Sequence, residues 1–171
     1  MGESKSKDRA LEDVLIMTER LALLHYAFAK TLDEELPPEQ ARELTEKAIK
    51  LYGHIAAENA MKRIAELGLE PTLENYKYGG DLPSRGWEYA PAEKPKDLPC
   101  VGISKITFCP LGECWKKLGE DGRRLGRFYC WVDQAKYEAY GCGYGCVHDT
   151  NTLEGDEFCT IRVTGKKEKK S

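Results

Sequence analysis

Cys100-Val101-Gly102-Ile103-Ser104-Lys105-Ile106-Thr107-Phe108-Cys109-Pro110 is the stretch on which the fold turns. Val101 and Ile103 share one parity, and Ile106 and Phe108 the other. With that β-branched bias the stretch reads as a strand over 100–109, ended by a proline that has no N–H to give. Residues 111–119 and 127–140 then read as two shorter helices. The second carries Phe128, Trp131, Val132, Ala135 and Ala139 at helical spacing. Gly141, Gly143 and Gly145 break it. Residues 145–152 and 157–164 read as a hairpin-like strand pair around Leu153-Glu154-Gly155-Asp156, with Phe158, Ile161 and Val163 as its apolar content.

Upstream, the chain changes character. Residues 9–32 place Leu11, Leu15, Leu21, Leu24, Phe28 and Leu32 close to an i, i+3, i+4, i+7 pattern, the mark of an amphipathic helix, behind a flexible tail at 1–8. Pro37-Pro38 opens a second helix whose stripe runs Ala41, Leu44, Ala48, Leu51, Ile55, Ile64 and Leu67, and Gly68 stops it. Glu58-Asn59 interrupts that stripe and reads as a bend or solvated turn. Residues 71–99, rich in proline, glycine and rings, read as an irregular covering loop packed over a cavity, because a bare linker gains nothing from Trp87. The organisation is one domain: a helical part at 9–70, the covering loop at 71–99, a Cys-rich part at 100–165 and a charged tail at 166–171.

With 171 residues, 41% hydrophobic and 32% charged, the chain has material for a single core and little more. A net charge of −3 gives no basic field for nucleic acid or anionic lipid, so neither is expected as a partner. No apolar run approaches the roughly 20 residues needed to cross a bilayer. The first residues hold Glu3, Lys5, Lys7 and Asp8 and no apolar signal core, so the expected location is cytoplasmic. The long apolar-striped first helix could equally serve as a homodimer face.

Seven cysteines without an export signal point to thiols used as ligands, nucleophiles or core residues rather than disulfides. From Cys109 onward the order is Cys109, Cys114, Cys130, Cys142, Cys146, His148, Cys159. No Cys-x-x-Cys pair occurs. Cys100 and Cys114 read as small apolar core residues, and His25 and His54 as structural. Cys109, Cys130, Cys146, His148 and Cys159 could converge as soft ligands for tetrahedral zinc; an iron–sulfur cluster is the less favoured alternative. Asp133, three residues after Cys130, would share its helix face and could act as an acid or base beside a thiolate.

The strings Thr107-Phe108-Cys109-Pro110, Gly126-Arg127-Phe128-Tyr129-Cys130-Trp131-Val132-Asp133 and Thr152-Leu153-Glu154-Gly155-Asp156-Glu157-Phe158-Cys159 together resemble the L-2-amino-thiazoline-4-carboxylic acid hydrolase family. The closing Gly-Asp-x-x-Cys is also similar to the 4-vinyl reductase domain, a small-molecule-binding module. The resemblance implies an α+β fold with N-terminal helices on a small antiparallel sheet, and matches Cys109, Cys130 and Cys159 to family positions. It departs from zinc-binding relatives of that module at Asn151, where a further cysteine would align, and at His148, where a carboxylate would.

Two functions follow as expectations. The first is a hydrolase opening a cyclic amidine C–N bond by cysteine- or metal-assisted attack of water. Cys130 would be the nucleophile, with a lowered thiol pKa, Asp133 its acid–base partner and His148 the orienting group. Arg127 would take the substrate carboxylate, and Tyr129 and Trp87 would line the ligand. The second is a non-catalytic zinc or small-molecule sensor with its cysteines in a closed site.

Overall fold

A computed structural model describes residues 2–141 and 143–166, and their side chains over 9–141 and 143–165. Two long helices lead, α1 (Gly2–Glu35) and α2 (Pro38–Glu66). A 3₁₀ turn (Glu74–Tyr78) and a short strand β1 (Glu88–Ala90) follow, then β2 (Gly102–Phe108), α3 (Pro110–Lys117), α4 (Gly119–Tyr129), α5 (Trp131–Ala139), β3 (Tyr144–Thr150) and β4 (Cys159–Lys166). The four strands form one antiparallel sheet in the order β1-β2-β4-β3. The fold is α+β with its long helices N-terminal, as expected. Among the described residues no helix is long and apolar enough to cross a membrane.

Local chemistry sets these boundaries. Pro38 opens α2, where its missing N–H costs nothing. Gly68, at φ +71°, closes α2: its N–H reaches Ala65 O at 2.9 Å and that of Leu69 reaches Ile64 O at 3.1 Å, which satisfies two orphan carbonyls. Glu58 and Asn59 lie exposed inside an unbroken helix, so the expected bend is absent.

The buried stripe of α2 is Ala41, Thr45, Ile49, Gly53, Ala57, Ala60 and Ile64, a row of mostly small residues one turn apart. Of the apolar stripe expected from the sequence, Ala41 and Ile64 are buried, whereas Leu44, Ala48, Leu51, Ile55 and Leu67 are exposed. The reason is close packing. A Cβ on Gly53 would stand 2.6 Å from Ala135 Cβ and 3.0 Å from Val132 O, so α5 presses against α2 where bulk is least. α1 follows suit, burying Thr18, Ala22, His25 and Ala29.

Three further differences from the sequence reading have local causes. The segment 71–99 contains a 3₁₀ turn and a strand, because Glu88–Ala90 finds the free edge of β2. The second expected helix is two: α4 begins at Gly119 and the chain bends at Cys130, whose N–H bonds Arg127 O at 3.1 Å in a tightened turn. α1 starts at Gly2 rather than near residue 9. α4 is glycine-rich because Gly126 lies against the ring of the fully buried Trp115, whose indole N–H donates to Ala22 O at 2.9 Å, and Gly122 lies against the Trp115 carbonyl and Leu118 at the end of α3.

Candidate functional site

Between α5, the inner face of the sheet and the segment 73–90 lies a cavity of about 530 Å³. Its sheet wall is mainly apolar, formed by Ile103, Ile106, Ile161 and Val163 with Ser104 among them. Trp87 and Tyr89 close the covering side, and Tyr129 stands on the helical side. Against these walls one strip is strongly polar.

That strip is a continuous chain of contacts. Lys136 Nζ donates to Asp81 Oδ2 at 2.8 Å and lies 3.2 Å from Asp133 Oδ1. Tyr76 donates its hydroxyl to the same Asp81 oxygen at 2.9 Å. His148 Nε2 meets Asp133 Oδ2 at 3.1 Å, and Asn151 Nδ2 lies 3.2 Å from His148 Nδ1 and 3.5 Å from Cys130 Sγ. The Asn151 amide cannot be turned over, since its Oδ1 accepts the Leu153 backbone N–H at 2.9 Å. Nδ1 of His148 is therefore an acceptor, and its proton sits on Nε2, facing Asp133.

Secondary structure explains the convergence. Asp133 and Lys136 are an i, i+3 pair on α5. His148 stands beside a bulge in β3: His148 pairs with Ile161 and Thr150 with Thr160, which leaves Asp149 as the extra residue. Asp149 turns outward and clasps Arg162 at 2.7 and 2.8 Å, while His148 faces α5. The turn at 151–156 holds Asn151, whose own N–H is taken by Asp156 Oδ2 at 2.7 Å.

The electrostatics follow from burial and pairing. Burial alone would push the Asp133 carboxyl up, but Lys136 and His148 outweigh it and hold it at about 2. Lys136, only 5% exposed, would lose its proton to burial were it alone; Asp133 and Asp81 keep it firmly charged. Two carboxylates on one ammonium leave the strip net negative.

The cysteines behave otherwise than the sequence reading required. Cys130 lines the cavity, but burial pushes its thiol up to about 12, and the Asn151 contact offsets this only in part. The lowered pKa of a nucleophile is absent. Cys109 lines the cavity too and is also raised by burial, although the Gly112 and Leu111 amides and Trp87 pull the other way. Cys146 on β3 is raised by burial and by Asp133. Cys159, the first residue of β4, is buried beneath the turn at 151–156 and accepts the Thr152 N–H at 3.4 Å. Among the described residues no group of three or more His, Cys, Asp or Glu is arranged to hold a metal ion, so the expected set of Cys109, Cys130, Cys146, His148 and Cys159 does not assemble. Its members sit on an N-cap, a helix bend and the strands β3 and β4, and His148 is committed to Asp133 and Asn151. Cys142 lies outside the described residues.

Of the expected ligand-binding residues, Trp87 and Tyr129 lie on the cavity wall and Arg127 does not. Arg127 Nε stands 3.0 Å from Glu154 Oε1, a charge contact off the hydrogen-bond axis. The sequence reading missed Lys136, Asp81 and Tyr76. Asp133-x-x-Lys136 was a visible signal, whereas Asp81 comes from a loop whose path no periodicity announces.

The three cavity carboxylate and ammonium groups can hold and polarise a small polar, cation-bearing ligand, and the rings around them exclude water. A family model for L-2-amino-thiazoline-4-carboxylic acid hydrolase matches residues 16–163. Searches of curated proteins and of solved structures gave no match. The matched span takes in α1 from residue 16, all of α2, the covering segment, α5 and the sheet as far as residue 163, and so every residue of the polar strip; the chain belongs to the L-2-amino-thiazoline-4-carboxylic acid hydrolase family.

Proposed function

We propose that the chain is a hydrolase that opens a small cyclic amidine by attack of water at the amidine carbon, with carboxylate rather than thiolate assistance. The observation that carries this reading is the buried Asp81–Lys136–Asp133 strip on one wall of a largely apolar and aromatic cavity, with His148 bonded to Asp133 behind that wall. A protonated amidine is a planar cation with paired N–H donors, the group a carboxylate receives in two-pronged fashion. Pairing with the strip keeps the amidine protonated, and the central carbon of the protonated form is more electrophilic than that of the neutral one. Asp133, aimed by His148 and Lys136, takes a proton from the attacking water and returns it to the ring heteroatom, whose bond to the central carbon breaks as the tetrahedral adduct collapses. Lys136 holds the carboxylates in register, and Cys130 packs the cavity floor.

The test is turnover of 2-amino-thiazoline-4-carboxylate by the purified chain, followed by mass change on addition of water. Release of a titratable thiol marks cleavage of the ring C–S bond; its absence marks the C–N bond. Asp133→Asn is expected to lower kcat about 100-fold or more, whereas Cys130→Ser stays within about tenfold of wild type. An equal collapse in Cys130→Ser would restore the thiol as nucleophile, and saturable binding without turnover would favour the small-molecule-binding module.

A further inference from the structure

The long helices bury their small residues and leave their large ones outside. Met17, Leu21, Leu24 and Phe28 of α1 are 63%, 39%, 56% and 67% exposed, and Leu44, Leu51 and Ile55 of α2 are 40%, 61% and 48% exposed. In α1 the spacing is 4-3-4; in α2, with Ala48 included, it is the same. That is the seam of a helix that expects another helix. Counted outward from the turn at 36–37, Phe28 stands level with Leu44, Leu24 with Ala48, Leu21 with Leu51 and Met17 with Ile55. An apolar groove runs between the two seams, floored by Ala29, Thr45 and Ile49.

We propose that this α1–α2 face docks a second copy of the chain, the two helix pairs closing about a two-fold axis as a four-helix bundle. Three observations single out a copy of itself as the occupant. The two seams have equal length, twelve residues or about 16 Å each, so the face matches itself after a half-turn. The exposed area of the eight large side chains, Tyr52 included, comes to roughly 800 Å² per copy, the share that a standard stable interface takes from each partner. None of the eight seam positions Met17, Leu21, Leu24, Phe28, Leu44, Ala48, Leu51 and Ile55 is charged, so two copies meet along them without setting like charges against each other. Tyr52 and Tyr129 line both this groove and the polar-strip cavity, their ring centroids 6.0 Å apart, so the second copy also covers the outer side of a cavity wall. The inference stands apart from the hydrolase reading.

Sedimentation velocity over about a hundredfold dilution series is expected to give twice the chain mass at the upper end and dissociation at the lower. Leu24→Glu and Leu51→Glu, both at exposed positions, are expected to give monomers with unchanged circular dichroism. In the wild type, hydroxyl-radical oxidation of Met17 and Phe28 should slow several-fold in the dimer, and this reading decides the matter if either variant fails to fold. A monomer mass at every concentration overturns the proposal. So does a dimer that survives both substitutions, or one in which Met17 reacts as fast as in the monomer.

Discussion

At the scale of single residues, Lys136 is the most consequential side chain in the cavity. It is buried, and it stands between two carboxylates that would otherwise share a low-dielectric space. Lys136→Met keeps much of the volume and removes the charge. Asp81 and Asp133 are then left facing each other, at a cost of about 3–5 kcal/mol of stability, measurable as a fall in the urea midpoint. Adding Asp81→Asn should recover part of that loss, since the two substitutions act on one network. Cys130 makes the opposite statement. With its thiol pushed up to about 12, roughly one molecule in ten thousand carries the thiolate at pH 8, and alkylation of Cys130 should lag far behind a free thiol. Sequence reading placed Asp133, His148 and Cys130 in one neighbourhood because helix spacing and strand parity are local rules. It could not weigh burial. A thiol at a helix bend under an Asn151 amide and a thiol poised for attack are the same letter in the chain.

At the scale of elements, the contact of α2 with α5 decides whether the polar strip exists. Asp133 and Lys136 flank Ala135, the residue that touches Gly53, so the position of α5 against α2 is also the position of the strip against the sheet. Gly53→Ala puts a methyl group against Ala135 Cβ and a backbone carbonyl that cannot yield. The expected cost is about 1–3 kcal/mol, with loss of turnover larger than the loss of folded protein at a temperature where the variant is still native. Equal activity per folded molecule would show that α5 gives way without disturbing the strip. Such packing explains what periodicity misread. Helices, β2 and the β3–β4 pair were legible because their apolar patterns differ in period. The buried face of α2 was not, because a search for large apolar residues passes over a row of Ala, Gly and Thr and settles on the Leu and Ile beside it. α4 escaped for a related reason, Gly126 making room for the Trp115 ring and Gly122 for the end of α3 rather than marking a loop. β1 depends on a partner strand, and a three-residue segment has no pattern of its own.

At the scale of the whole molecule, α1 is tied to the rest by polar clasps along one side. His25 Nε2 meets Leu125 O at 2.9 Å, Lys30 pairs with Asp121 at 2.7 Å, and Arg124 grips Asp33 at 2.9 and 2.7 Å. His25 is the pH-sensitive member. Burial lowers its pKa below 6.5, and the Leu125 carbonyl opposes this without overcoming it. It sits edge-on to Trp115 and Tyr129 at 5.5 and 5.3 Å, with no carboxylate among the contacts seen there to receive a second charge. The unfolded chain therefore takes up this proton first, so stability falls as pH drops through 6.5 toward the lower folded value. Asp133 acts in a separate window, below the ordinary 3.8 and down to about 2, where its charge and with it the pairing to Lys136 is lost. The two are separable by experiment. Urea midpoints at pH 7.5 and 5.5 should differ for the wild type, whereas His25→Gln, which keeps a donor for Leu125 O and cannot titrate, should show a smaller difference. If both chains lose the same stability between these pH values, the sensitivity lies elsewhere than in the α1 clasp. Where the His25 effect is present, it reaches further than α1 itself. His25 and Tyr129 border the groove between the long helices, so protonating the one loosens the wall that the other shares with the cavity.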